Sequence, residues 1–191
     1  MEKANGRALA VADIQKRTGL FEGAEAEGHY TLTCRDKNGN VKWEEGFDNL
    51  VTTAGKNFAL DTFLAGSAYT VTGPYLGLIN ANANAAAATD TMASHPGWLE
   101  VGLANAPVYT GTRQTVSFGS ATGGGKQSNA LMTFNVETSG TIGGCFLVFG
   151  PGASNAIGST GGILYSAGAF SAGSKMVAQF DTLTVTYTAS L

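Results

Sequence analysis

Charge is what this sequence has least of. Asp, Glu, Lys and Arg make up 13% of the 191 residues, against about 25% in an average domain. Beyond Val101 only Arg113, Lys126, Glu137, Lys175 and Asp181 carry it. The net charge is −3, and the one basic cluster, Lys16-Arg17, is followed by Glu22, Glu25 and Glu27. That leaves no patch able to track phosphates, so no nucleic-acid partner is expected. No apolar run approaches the ~20 residues that a membrane helix needs, so no membrane partner is expected either. The opening "MEKANGRALAVADIQKR" has no proper h-region or cleavage site. No secretory signal is therefore expected, and folding is expected in a reducing compartment. There are only two cysteines, Cys34 and Cys145. They read as small buried apolar side chains, although a disulfide is open if their strands abut. The two histidines and two cysteines show no ligand spacing, so neither a metal nor a cofactor is expected.

Glycine is plentiful, at 27 residues, and proline is scarce, at 4. The glycines separate short runs of Val, Thr, Phe, Leu and Tyr, as turns separate strands. In "HYTLTCRDKNGNVKWEEGF" (29–47) Tyr30, Leu32 and Cys34 alternate with Thr31, Thr33 and Arg35, and Val41, Trp43, Glu45 and Phe47 alternate with Lys42, Glu44 and Gly46. Asn38-Gly39 between them suits a tight turn, which predicts a β-hairpin. "NLVTTAGKNFALDTFLAG" predicts a helix over about 53–65, capped by Thr52 or Thr53, stopped at Gly66 and packed on a sheet through Phe58, Leu60, Phe63 and Leu64. Strand-sized segments follow at 73–80, 114–119, 129–137, 141–150, 161–170 and 181–191. In the last, Leu183, Val185 and Tyr187 alternate with threonines, one face in and one face wet. The fold class expected is mainly β: a single β-sandwich or jelly-roll-like domain over 29–191 with one packed helix. Residues 1–28 read as an extended arm, ending in the acidic link "EGAEAEG". Leu20 and Phe21 are its candidate docking residues, since a purely disordered tail has little use for them.

Several stretches invite a chemical reading. "ATDTMASHPGWLEVG" (88–102) brings together Asp90, Ser94, His95 and Glu100. It has no sharp turn ahead of a helix to expose a nucleophile, and adjacent Ser and His rarely face each other on extended backbone. His95-Pro96-Gly97 reads better as a turn that drops the Trp98 ring into the core. "CRDKNGN" resembles the start of a calcium loop, but the later glutamate is out of register. "GSATGGGKQS" fails as a phosphate loop, because Ser120 stands where the first glycine is needed and Gln127 follows the lysine. Asp90, Glu100, Glu137 and Asp181 could supply a carboxylate pair for sugar hydrolysis, and Tyr69, Tyr75 and Tyr109 could stack on a sugar. Core or interface roles are the expectation for the tyrosines. No catalytic residue is assigned, and an enzyme is not expected.

The strings "NLVTTAGKNFALDTFLAGSAYTVTGPYLGLI", "ATDTMASHPGWLEV" and "GGILYSAGAF…DTLTVTYTASL" resemble a family of small virion structural proteins of tailed bacteriophages. The likeness covers roughly residues 29–191 and brings no catalytic motif. It implies a non-enzymatic virion component, assembled in the host cytoplasm. The expected role is a capsid decoration (cement) protein that binds the major capsid protein, or other virion proteins, as a homo-oligomer. The alternatives are a tail or fibre component touching a host receptor, and a carbohydrate-binding module. A charge-poor surface suits a chain covered by neighbours.

Overall fold

A computed structural model describes residues 26–64, 72–80 and 86–190. The expected docking residues Leu20 and Phe21 lie outside the described residues, as do Gly66 and Tyr69. Two antiparallel sheets and one helix form a β-sandwich.

The hairpin forms where the alternation placed it. Strand β1 (Glu27–Arg35) pairs with β2 (Val41–Asp48), Tyr30 opposite Phe47 and Cys34 opposite Trp43. Asp36 builds the turn by accepting from Asn38 N at 2.8 Å and Asn40 N at 2.9 Å. These bonds, with that from Asn40 Nδ2, hold its carboxyl below the usual range, and they use up the group that the calcium-loop reading required. Residues 1–25 lie outside the described residues, and the last part of the segment expected as an arm is strand. Glu27 and Gly28 already pair with Ser190 and Ala189, so they belong to the sheet. Gly28 is fixed there by close packing, since a Cβ would stand 2.2 Å from the Tyr187 hydroxyl.

The first sheet runs β2-β1-β11. Strand β11 (Thr182–Ser190) pairs along its far edge with β6 (Gly125–Gln127) and β7 (Met132–Asn135). The second sheet runs β3 (Leu50–Val51), β9 (Ile163–Ala169), β8 (Gly140–Phe149), β4 (Tyr75–Asn80), β5 (Gln114–Thr115). The short β10 (Lys175–Val177) also pairs with β8. The strand expected over 114–119 shrinks to two residues, and the glycine-rich loop 119–128 instead contains the short strand β6. Thr122 and Gly125 close its turn with reciprocal backbone bonds.

The sheets differ in what covers them. Strand β11 alternates buried Leu183, Val185 and Tyr187 with half-buried threonines, so the outer face of the first sheet is polar: those threonines lie beside Glu27, His29 and Arg35 of β1 and Glu44 and Asp48 of β2. Leu32, Phe134 and Val185 meet Leu76, Leu78 and Leu147 between the sheets. In β8 nearly every residue is buried, because the second sheet has a core on its other face too. There Phe146, Val148, Ile79 and Leu164 pack with Met92 and Trp98.

Helix α1 (Thr53–Leu64) starts as expected, with Thr52 as the cap: its Oγ1 accepts from Gly55 N at 3.0 Å. Of the expected apolar face, Phe58 is buried and Leu60 and Leu64 are not. The helix meets β9 at Gly55, where a Cβ would stand 2.5 Å from the Tyr165 carbonyl, and buries Phe58. At roughly 100° per residue, Leu60 and Leu64 fall on the side away from Gly55. They are 55% and 70% exposed. Among the described residues no helix is long and apolar enough to cross a membrane.

Candidate functional site

The segment 88–102 is a plug. Trp98 is 2% exposed, its ring 5.1 Å from that of Phe146. Its indole Nε1 donates to Asp90 Oδ2 at 3.0 Å, and the same oxygen accepts from Ala87 N at 3.0 Å. His95 stacks on the indole at 3.8 Å, and its Nδ1 lies 2.9 Å from the Trp98 carbonyl. Ser94 is exposed and closes a small turn with Thr91 through backbone bonds. Asp90 and His95 thus both serve the tryptophan, and their polar atoms are directed at it and at backbone. A buried indole needs a partner for its N–H, which explains the carboxylate at this position.

Glu100 has a different partner, one that sequence reasoning missed. Arg113 is 1% exposed and grips the Glu100 carboxylate with both arms, Nε to Oε1 at 2.7 Å and Nη2 to Oε2 at 2.8 Å. Its remaining donors reach the carbonyls of Ser154 at 3.0 Å and Ser159 at 2.7 Å. Glu100 Oε2 also accepts from Gly158 N at 2.8 Å, and the guanidinium sits over the Phe146 ring. One ion pair therefore ties the plug, residue 113 and the loop 154–159 together. A planar fork with five donors is suited to holding several carbonyls at once. The only sequence signal was an isolated arginine in a charge-poor stretch.

The other two candidate carboxylates border a single cavity of about 580 Å³. Asp181 is buried and pairs with Lys42, accepts from Ala178 N at 2.7 Å, and takes the Cys34 thiol at 3.6 Å. Glu137 is exposed and accepts from Thr110 Oγ1 at 2.9 Å. Asp90 and Glu100 are in neither of these networks. Among the described residues no group of three or more His, Cys, Asp or Glu could hold a metal ion. Of the expected sugar-stacking tyrosines, Tyr109 is buried edge-on against Phe134 and Tyr75 is half-buried. The exposed aromatic at the 580 Å³ cavity is Phe180.

A second cavity, of about 460 Å³, is apolar and lies between α1 and the sandwich. Phe58, Phe118, Phe149, Tyr165 and Tyr187 line it, with Lys126 the one cation among the described residues there.

Cys34 and Cys145 are both buried free thiols. Burial, with Asp181 second, pushes Cys34 up from 9.0 to about 12, and burial raises Cys145 further. Burial, with Tyr165 second, lifts Tyr187 from 10.0 to about 12, and burial raises Tyr30 and Tyr109 as well. Below pH 9 these groups are protonated in both folded and unfolded chains, so their contribution to stability is whole. Between pH 9 and 12 the unfolded chain releases protons that the fold retains, and stability falls as pH rises. Urea midpoints should therefore hold from pH 7 to about 8.5 and drop steeply above that. Thiol titration with a disulfide reagent at pH 8 should label neither cysteine until urea is added. A flat midpoint to pH 11, or labelling of the native protein, would contradict the burial of these groups.

No family model, curated protein or solved structure matches the chain.

Proposed function

We propose that this protein is a non-enzymatic structural component of a tailed-bacteriophage virion, a decoration protein that binds and stabilises the head lattice. The observation that carries the reading is the outward face of α1. Leu60 and Leu64 stand one helical turn apart and exposed, on the side of the helix away from the sheet. Leucines at this spacing form a continuous apolar strip, the kind of feature that marks a contact surface. Two further features support it. The doubly covered second sheet makes a stiff plate, and the half of the chain beyond Val101 carries only five charged residues, which limits repulsion between neighbours. The resemblance of the three quoted strings to phage virion proteins supplies the setting.

Purified heads lacking the protein, mixed with the full chain and sedimented, test the reading. The wild type should co-sediment. The double variant Leu60→Glu/Leu64→Glu, on an exposed face, should keep its far-UV spectrum and lose at least tenfold in apparent affinity, about 1.4 kcal/mol or more. Wild type that stays in the supernatant with intact heads would count against a head location. Co-sedimentation of the variant at wild-type affinity would count against this face.

A further inference from the structure

Residues 178–181 form a turn that places a phenyl ring where a glycine would be easier. Asp181 N donates to the Ala178 carbonyl at 3.1 Å, so Gln179 and Phe180 are its two central residues. Phe180 has φ +71. The second central position of such a turn favours Gly or Asn, and a bulky side chain there is a true outlier. The ring does not recover that strain by packing, being 64% exposed. The turn is nonetheless held firmly. Phe180 N donates to the Val136 carbonyl at 2.8 Å, Val136 N to the Asp181 carbonyl at 2.9 Å, and Gln179 N to Ser139 Oγ at 3.0 Å. The Asp181 carboxylate anchors it from beneath through Ala178 N and Lys42. Strain that persists in a rigid, exposed turn points to use.

The ring borders the 580 Å³ cavity together with Thr110, Asn135, Glu137 and Gln179. The hollow is open to solvent, so it offers a shallow platform to one face of a ligand. We propose that this cavity binds a neutral saccharide. The phenyl face takes the C–H face of a sugar ring, and the Gln179 amide, the Asn135 Nδ2 donor and the second Glu137 oxygen take its hydroxyls, since Asn135 Oδ1 already accepts from Thr182 Oγ1 at 3.3 Å and Glu137 Oε1 from Thr110 Oγ1 at 2.9 Å. An aromatic face attracts polarised C–H groups. Side-chain amides offer donor and acceptor side by side, matching neighbouring hydroxyls that do both. Glu137 makes the rim anionic, which disfavours acidic polysaccharides. Asp181 is already engaged with Lys42, Ala178 and Cys34, so the site binds a sugar and is not assigned its cleavage. The proposal goes beyond a structural role in the virion and does not depend on it.

The test screens the full-length chain on an array of neutral glycans, followed by saturation-transfer NMR with maltohexaose, cellohexaose and chitohexaose. The comparison variants are Phe180→Gly and Asn135→Ala/Gln179→Ala. Phe180→Gly relieves the backbone, so its melting temperature should equal or exceed that of the wild type while binding falls at least tenfold. The double alanine variant should weaken binding with the fold intact. Three results would overturn the site: no glycan bound by the wild type, binding that survives Phe180→Gly, or a Phe180→Gly protein that melts well below the wild type. The last would show the ring to be a structural prop.

Discussion

Arg113→Ala should cost about 3–5 kcal/mol of folding stability, measured by urea titration followed by far-UV circular dichroism. The deleted guanidinium leaves the enclosed Glu100 carboxylate with the backbone N–H of Gly158 as its remaining donor among the described residues, and it strips the Ser154 and Ser159 carbonyls of their Arg113 donors. A buried charge without its counter-ion is among the costliest single defects a fold can carry. Native domains have about 5–15 kcal/mol in all, so this substitution alone should bring the protein near the edge of unfolding at body temperature. The double variant Arg113→Met/Glu100→Leu should recover a large part of the loss, since apolar side chains need no partners there. It should not recover all of it, because the loop 154–159 stays untethered. A single variant that loses less than about 1 kcal/mol, the range of exposed pairs, would show the clamp to be solvated.

Trp98→Ala should be comparably damaging, about 3–5 kcal/mol, through lost burial and the cavity left behind. The ring fills the second core against Phe146 and is the group on which His95 stacks. Its removal also takes the indole N–H donor from the Asp90 carboxylate. Trp98→Phe separates the two contributions. It keeps most of the apolar volume but leaves the buried carboxylate with Ala87 N in place of two donors, for an expected loss of about 1–3 kcal/mol. Adding Asp90→Asn to Trp98→Phe should then be less harmful than the sum of the two single changes, since the charge is gone. Equal losses for the phenylalanine and alanine variants would mean that the hydrogen bond, and not the packing, holds the plug.

Both substitutions fall in or beside the segment whose residues look most like an active site. Its charged and polar groups were legible as types but not as pairs. Asp90 and Trp98 are eight residues apart and joined by a local turn, and the turn was readable from His95-Pro96-Gly97. Glu100 and Arg113 are joined across loops that also involve Ser154 and Ser159, and nothing in the spacing announces that. The same holds for Asp181 and Lys42, separated by 139 positions. Partners of this kind are set by strand order, which a single sequence does not encode in any local pattern.

Some features needed only local physics. The period-two alternation of Tyr30, Leu32 and Cys34 and of Leu183, Val185 and Tyr187 determined two strands and the face each buries, because successive side chains on a strand point to opposite sides. Thr52 ahead of the helix, and Asn38-Gly39 in the hairpin, were equally decided by backbone chemistry. The helix face was not, because its contact with β9 depends on a glycine and a carbonyl on another strand. Nor was the exposure of Phe180, whose aromatic identity suggests burial until the turn beneath it is in place. Local preference chose which residues are extended, turned or helical. Which polar atoms meet, and which apolar side chains are left facing outward, was settled only when distant strands came to lie about 5 Å apart.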